Sequence, residues 1–263
     1  MTDTSIPAVV PPLPRQGTWK RAIAPSDAFA WLAAGWRDCW VQPGTSLFYG
    51  MLVYFICVGT LFGLLSLGWD YIIFPAFTGF VVVGPFLAIG LYEKSRRLAA
   101  GERVPLSDMM LVHPKAGAQI LFTGTLLAVL VATWIRAAVI IYALFFGVRP
   151  FPGLDHLLPT LFLTPTGWSM LIVGSLVGGL FAAFAFAISA FSIPMQLDQR
   201  VDALTAMGSS FAIVATNLPA MLTWGALVFG LFVLSALTGF AGMIVVFPLL
   251  GHGTWHAYRA IRT

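Results

Sequence analysis

The chain has 263 residues, of which 59% are hydrophobic and only 9% are charged. Soluble domains carry roughly 25% charged residues, so this composition excludes a water-soluble protein and indicates an integral membrane protein. Basic residues outnumber acidic residues by 14 to 10. We expect the lipid bilayer to be the main partner and expect no nucleic acid among the partners.

The region before the first apolar segment has two parts. Residues 1–25 are rich in proline, which predicts a flexible cytoplasmic tail and disrupts the apolar run that a signal peptide needs. The next segment places Phe29, Leu32, Trp36 and Trp40 at helical spacing. This pattern predicts a short amphipathic helix in the cytoplasmic interface, where Trp36 and Trp40 contact lipid headgroups. A partner-binding helix is the alternative interpretation.

Charge-poor segments long enough to cross a membrane follow along the rest of the chain. A helix needs about 20 apolar residues to cross a hydrocarbon core of about 30 Å. The stretch 218–258 would measure roughly 60 Å as one helix, so it must fold back into two spans. The predicted spans are residues 46–66, 71–92, 118–146, 168–191, 218–237 and 240–258.

The basic residues predict the orientation of these spans. Most of them lie in the tail, in the loops after spans two and four, and at the C-terminal end. Arg149 alone falls on the opposite side, and Arg136 lies within span three. Cytoplasmic segments carry the excess of lysine and arginine, so both ends belong in the cytoplasm. The sequence therefore predicts an all-α polytopic transmembrane helix bundle over residues 26–263, with six spans.

Three cations, Lys94, Arg96 and Arg97, stand directly beneath the second span. Cations at this depth attract anionic lipid headgroups at about 1 kcal/mol per charge. We therefore predict contacts between these side chains and anionic lipids. Membrane topology alone would also account for them.

Arg136 is the ionisable residue that the predicted spans place at membrane depth, where charge is costly and indicates function. It can extend toward the outer interface or pair with Asp70 or Asp155, and a substrate carboxylate or phosphate is the alternative partner. The spans as drawn contain no aspartate, glutamate or lysine. The absence of these residues argues against an ion-driven carrier, because such carriers place ionisable groups along their path.

Proline and glycine positions predict how the helices bend and pack. Pro85 and Pro248 predict kinks in spans two and six, which either line a cavity or only shape the bundle. Small residues let helices approach closely, so close contacts are predicted for span one at Gly59 and Gly63 and for span four at Gly174, Gly178, Ala182 and Ala185.

His252 and His256 stand four residues apart, which places both imidazole rings on one face of a helix. A transition-metal site normally needs three or four ligands, and the two other histidines, His113 and His156, are predicted on opposite sides of the membrane. We therefore interpret the pair as polar residues at the cytoplasmic end of span six. Metal or haem ligation stays open as an alternative, while no metal or cofactor is expected.

Several stretches carry a family resemblance: "GWRDCWVQPGTSLFYG", "GFVVVGPFLAIGLYEKSRRLAAGE", "WIRAAVIIYALFFG", "SIPMQLDQRVDALTAMGSS" and "GHGTWHAYR". Together they resemble the bacterial integral membrane proteins grouped as domain of unknown function 2189, over nearly everything after the tail. The resemblance implies no established activity, although some members are labelled as a cytochrome c oxidase subunit. A haem-copper catalytic subunit needs about six histidines in its spans, and this chain offers two at one interface.

The sequence therefore predicts a multi-pass protein of the bacterial inner membrane that is not an enzyme and has no catalytic residues. Its most favoured function is that of an accessory, assembly or scaffolding component of a membrane complex, with a respiratory complex as the one that the family label suggests. Other membrane protein subunits are then its partners. A carrier or channel for a small solute, which would use the kinked spans and Arg136, is the alternative.

Overall fold

In the computed structural model, the described residues are 19–20, 22–147 and 153–262. Within them the chain forms twelve α-helices and one short 3₁₀ turn at Asp70–Ile72. The helices, numbered α1 to α12, are Asp27–Val41, Pro43–Ser66, Ile73–Leu87, Ile89–Leu98, Leu106–Met110, Gly117–Phe146, Leu154–Leu163, Pro165–Ser189, Ser192–Asp198, Ala203–Thr216, Leu218–Leu237 and Met243–Ile261.

Five helical segments in this part of the chain are long and apolar enough to cross a membrane, which confirms the all-α, multi-pass prediction. They coincide with the first five predicted spans, and two of them combine neighbouring helices, α3 with α4 and α8 with α9. The segments are Pro43–Ser66, Ile73–Leu98, Gly117–Phe146, Pro165–Asp198 and Leu218–Leu237. Where the sequence predicts a sixth span, the structure has α12, a 19-residue helix that is not among the five.

The second segment extends beyond its predicted end. The sequence argument stops this span at Tyr92, before the first charged residue, whereas the helix continues to Leu98 and takes in Glu93 and Lys94. Both charged side chains are buried. The helix therefore carries two buried charged residues just beyond the predicted end of the span, where hydrogen-bonding partners offset part of the cost of burying charge.

Helix α12 lies at the centre of one half of the bundle and packs against α1, α2, α4 and α11. Two glycines allow its backbone to approach its neighbours. A Cβ on Gly50 of α2 would lie 2.1 Å from the Ile244 carbonyl oxygen, and one on Gly35 of α1 would lie 2.6 Å from that of Leu249. Only glycine fits at contacts this short. The predicted close contact is found at Gly178 of α8, where a Cβ would lie 2.8 Å from the Trp134 ring. At Gly59, Gly63 and Gly174 no atom lies within 4 Å of the position of a Cβ, so that prediction is wrong for contacts within this chain.

The other half of the bundle contains α3, α6, α8 and α10. Trp134 of α6 holds two neighbouring helices together: its indole ring fills the space beside Gly178 of α8, and its Nε1 donates a hydrogen bond of 2.8 Å to the hydroxyl of Thr78 on α3. Much of α2, α6 and α8 is exposed outside these contacts.

Segments that are distant in sequence meet on one face of the bundle. Trp19 pairs with Arg262 in an antiparallel bridge, and the Lys20 backbone nitrogen donates a hydrogen bond of 2.9 Å to the Ile261 carbonyl. The Asn217 side chain accepts from the Ile23 backbone nitrogen at 3.2 Å. Residues 1–18 of the predicted tail lie outside the described residues, whereas its last residues are held against the helices.

Candidate functional site: a buried polar cluster

A cluster of polar side chains lies where α1, α2, α4 and α12 meet. Lys94 and His252 are both completely buried, with 0% relative exposure. We call this group the polar cluster; its members are Asp38, Gln42, Ser46, Lys94, Ser95, His252 and His256. The sequence analysis singles out Lys94 and the two histidines separately, and the structure brings them together.

Lys94 is held inside the protein by the N-terminal end of α2. Its Nζ donates hydrogen bonds to the Gln42 carbonyl oxygen at 2.8 Å and to the Ser46 Oγ at 2.7 Å. Carbonyls at the C-terminal end of a helix lack helical partners, and Lys94 meets one of them at Gln42, the C-cap of α1. Because the ammonium is buried, the predicted contact of Lys94 with lipid headgroups is wrong.

The His252 ring lies between two serines, and the donor and acceptor roles of their hydroxyl groups determine its tautomer. Its Nε2 lies 3.0 Å from Ser46 Oγ and its Nδ1 lies 2.7 Å from Ser95 Oγ. The Ser95 hydroxyl donates its hydrogen to Asp38 Oδ2 at 2.6 Å, so it must accept from His252 Nδ1. The Nε2 then accepts the Ser46 hydrogen, and His252 is neutral with its proton on Nδ1.

Asp38 is the anionic end of the cluster. Its Oδ2 accepts hydrogen bonds from Ser95 and, at 2.8 Å, from His256 Nε2. Burial raises the pKa of Asp38, but the hydrogen bonds from His256 and Ser95 lower it by more, so the net pKa lies below its ordinary value. Asp38 is therefore a carboxylate at neutral pH, and it balances the charge of Lys94.

The cluster forms a continuous chain of directed hydrogen bonds. It runs from the Lys94 ammonium through Ser46, His252 and Ser95 to the Asp38 carboxylate. If each group passes on one proton, the chain transfers a proton from the lysine to the carboxylate without moving a heavy atom far. His256 is about one third exposed and connects the Asp38 end to a surface cleft.

The geometry does not favour the metal or haem alternative. Both ring nitrogens of His252 are occupied by serine hydroxyls, and His256 Nε2 is occupied by Asp38. Across the described residues, no group of three or more histidine, cysteine, aspartate or glutamate side chains could hold a metal ion.

Arg96 and Arg97, two of the other predicted lipid contacts, lie on the outside of α4. Glu93 is buried and accepts hydrogen bonds from Arg96 at 2.8 Å and from Arg97 at 2.8 Å, and Arg97 also pairs with Asp108 at 2.7 Å. Each arginine remains about one third exposed. Their contact with anionic headgroups stays a prediction.

Helix α1 turns opposite faces to the protein and to the exterior. Trp31 is buried against α11, whereas Trp36 and Trp40 are 46% and 49% exposed and pack edge to face, with ring centroids 5.4 Å apart. The outward position of this tryptophan pair suits the predicted interfacial anchor, which also stays a prediction.

Arg136 is exposed on α6 and lies far from the polar cluster along the chain. It has no hydrogen-bond or ion-pair partner among the described side chains. Its two predicted partners, Asp70 and Asp155, have side chains outside that set. The role of Arg136 therefore stays a prediction.

Asp38, Ser46 and Ser95 are the residues that the sequence analysis missed. The available signal is local: Lys94 follows an apolar helix, and Ser46 stands at the start of another. Neither residue identifies its partner, because the hydrogen-bonded side chains are 48 to 218 residues apart.

The apolar helices that are long enough to cross a membrane define an integral, multi-pass membrane protein. Residues 73–198 match the family described as predicted integral membrane protein (DUF2189), which confirms the resemblance noted in the sequence. The match is narrower than that resemblance and excludes α1, α2, α10, α11 and α12. Neither curated proteins nor solved structures gave a match to the chain.

Proposed function

We propose that this protein is a non-catalytic accessory, assembly or scaffolding component of a membrane complex. The observation that carries the proposal is an uncovered face of α2. This helix packs on α12 through one side, which includes Ser46 and Gly50. Its other side is left for a partner.

The uncovered face has the composition of a helix-association surface. Gly59 and Gly63 are four residues apart, and no atom lies within 4 Å of the position that a Cβ on either would take. Phe55 and Phe62 flank them and are 60% and 66% exposed. Two small residues at this spacing let a second backbone approach, and the aromatic rings add contact area beside it. The partner is then a transmembrane helix of another subunit.

The test is co-purification after extraction in a mild detergent. Wild type should bring down a stoichiometric membrane partner, and the Gly59→Leu, Gly63→Leu double variant should lose it. Gly230→Leu is the matched control, because Gly230 of α11 also has open space beside it. A respiratory complex is the first partner to examine, in view of the label in the resembled family.

The comparison needs the variants to be folded, so their unfolding curves are measured beside wild type. A substituted side chain in open space should leave the free energy of unfolding within about 0.5 kcal/mol. Recovery of wild type alone, or equal recovery of the partner by both variants, contradicts the proposal.

We further propose six spans with both ends in the cytoplasm of a bacterial inner membrane, so that α12 is the sixth span. The pairing of Trp19 with Arg262 supports an even number of crossings, because paired segments lie on one side of the membrane. At 1.5 Å per residue α12 measures about 28 Å, close to the hydrocarbon thickness. Reporter fusions at the two ends test this topology, and opposite orientations would contradict it.

A carrier for a small solute is the second candidate, favoured by one observation. The proline-containing helices α3 and α12 both line a cavity, with Pro85 and Gly251 in its wall. If a passage exists, cysteines introduced along these walls react with a water-soluble thiol reagent. Complete protection of those cysteines would exclude an aqueous path.

A further inference from the structure

An apolar cavity of about 110 Å³ lies between α3, α8, α11 and α12. Its wall extends along α3 and α4 from Thr78 to Tyr92. At 1.5 Å per residue this is about 21 Å, or two thirds of the hydrocarbon thickness. The cavity is therefore elongated in the direction of the spanning helices.

The two ends of the cavity differ in exposure. At the end near the polar cluster, its wall contains Tyr92, Ser189 and Trp224, all at most 2% exposed. Farther along, Thr78 and Ala182 are exposed. The cavity is thus closed at the end near the polar cluster and opens sideways, between the helices, at Thr78 and Ala182.

Two hydrogen-bond donors at the closed end have no partner among the described residues: the Ser189 hydroxyl and the Trp224 indole N–H. Among the described residues, every side-chain nitrogen or oxygen atom that is fully shielded from solvent has a hydrogen-bond partner. Because the Ser189 and Trp224 donors have none, they are not fully shielded and must face open space. For residues this buried, the open space is the cavity that they line. A buried donor without an acceptor costs about 1 to 3 kcal/mol, which an acceptor inside the cavity would recover.

The rest of the wall limits the chemistry of that acceptor. None of the side chains that line the cavity is charged, and the long walls are apolar, with Phe80, Phe232 and Phe247 among them. A carboxylate or phosphate would be buried here without a counter-charge, which is strongly unfavourable. A hydrocarbon chain that enters from the bilayer exchanges one apolar environment for another, so it packs against this wall without a desolvation cost.

We propose that this cavity binds an uncharged, single-chain amphiphile taken from the surrounding bilayer. Its small head carries an acceptor oxygen, such as a carbonyl, and lies at the closed end against Ser189 and Trp224. The first carbons of its hydrocarbon chain fill the cavity along α3 and α12, and the rest of the chain leaves through the opening beside Thr78 and Ala182 into the bilayer. This site is independent of the partner surface proposed on α2.

The test is photolabelling of the full-length protein in lipid nanodiscs. The probe is a long-chain methyl ketone with a diazirine in its chain, and labelled positions are located by mass spectrometry. Labels are expected on the cavity walls of α3, α8, α11 and α12. Competition is then measured with 2-dodecanone, dodecane and dodecanoate at equal concentrations in the lipid.

The ketone should compete at least about fivefold better than the alkane, since one hydrogen bond contributes about 1 kcal/mol. The Ser189→Ala, Trp224→Phe double variant should remove this preference and still bind the chain. Dodecanoate should compete no better than dodecane.

Gly84→Leu tests occupancy of the cavity itself. Gly84 lines the cavity with no atom within 4 Å of a Cβ, so leucine fits without a clash and fills the space. This variant should lose the labels, whereas Gly230→Leu should keep them. Equal competition by ketone and alkane, scattered labelling, or full labelling of Gly84→Leu would overturn the proposal.

Discussion

The sharpest prediction concerns His252, whose ring makes two hydrogen bonds inside the polar cluster. His252→Phe keeps a planar ring in the same place and removes both nitrogens. Each hydrogen bond contributes about 0.5 to 1.5 kcal/mol, so the loss of two should lower the free energy of unfolding by about 1 to 3 kcal/mol. The geometry supports the full effect because His252 is completely buried and water cannot replace either partner.

The assay is reversible unfolding in mixed micelles with increasing sodium dodecyl sulfate, followed by tryptophan fluorescence. His113→Phe is the matched control, because His113 is exposed in a loop and its substitution should change stability by less than about 0.5 kcal/mol. His252→Gln should recover part of the loss, since an amide offers one donor and one acceptor. If His252→Phe is as stable as wild type, the hydrogen-bonded chain does not exist as described.

Three further predictions use the same unfolding assay or a binding measurement. Asp38 has a lowered pKa in the folded protein, so its carboxylate stabilises the fold above its unfolded pKa, and this contribution is lost as the pH falls through the folded pKa. Asp38→Asn should therefore be less stable than wild type at pH 7, and the difference in the free energy of unfolding should shrink in acid. Gly50→Leu should unfold far more readily than Gly59→Leu, because a Cβ at position 50 meets the Ile244 carbonyl whereas position 59 is open; similar stabilities would show that α2 does not contact α12 there. Trp40→Ala should weaken binding of an isolated α1 peptide to vesicles, and unchanged binding would remove its role as an anchor.

Much of the fold follows from the lengths of apolar segments. A helix cannot leave its backbone groups unpaired in hydrocarbon, so runs of about 20 apolar residues predict helices with small errors at their ends. The predicted 118–146 and 218–237 segments nearly match the helices found there, Gly117–Phe146 and Leu218–Leu237. These helices can be predicted without knowing which other helices they contact.

The polar cluster could not be predicted in this way, because its chemistry depends on pairs of residues. Lys94 looks like a cation at the membrane surface until Gln42 and Ser46 supply acceptors for its buried ammonium. His252 and His256 look like a pair, yet they serve different partners on different helices. Hydrogen bonds between distant segments decide both cases.

Glycine positions have the same limitation. Gly50 and Gly59 stand on the same helix, and their sequence surroundings are similarly apolar. One meets the backbone of α12, whereas the other has open space beside it. A small residue predicts that a helix can approach closely, but the identity of the approaching helix is settled only by the assembled bundle.

The central place of α12 has a consequence for biosynthesis. During translation this helix leaves the ribosome after the eleven others, although α1 and α2 both pack on it. Asp38 must therefore wait for His256, 218 residues further along the chain, before its hydrogen bonds can close. Until then the groove between α1, α2 and α4 stays unfilled, and the hydrogen bonds of Ser46 and Ser95 to His252 cannot form.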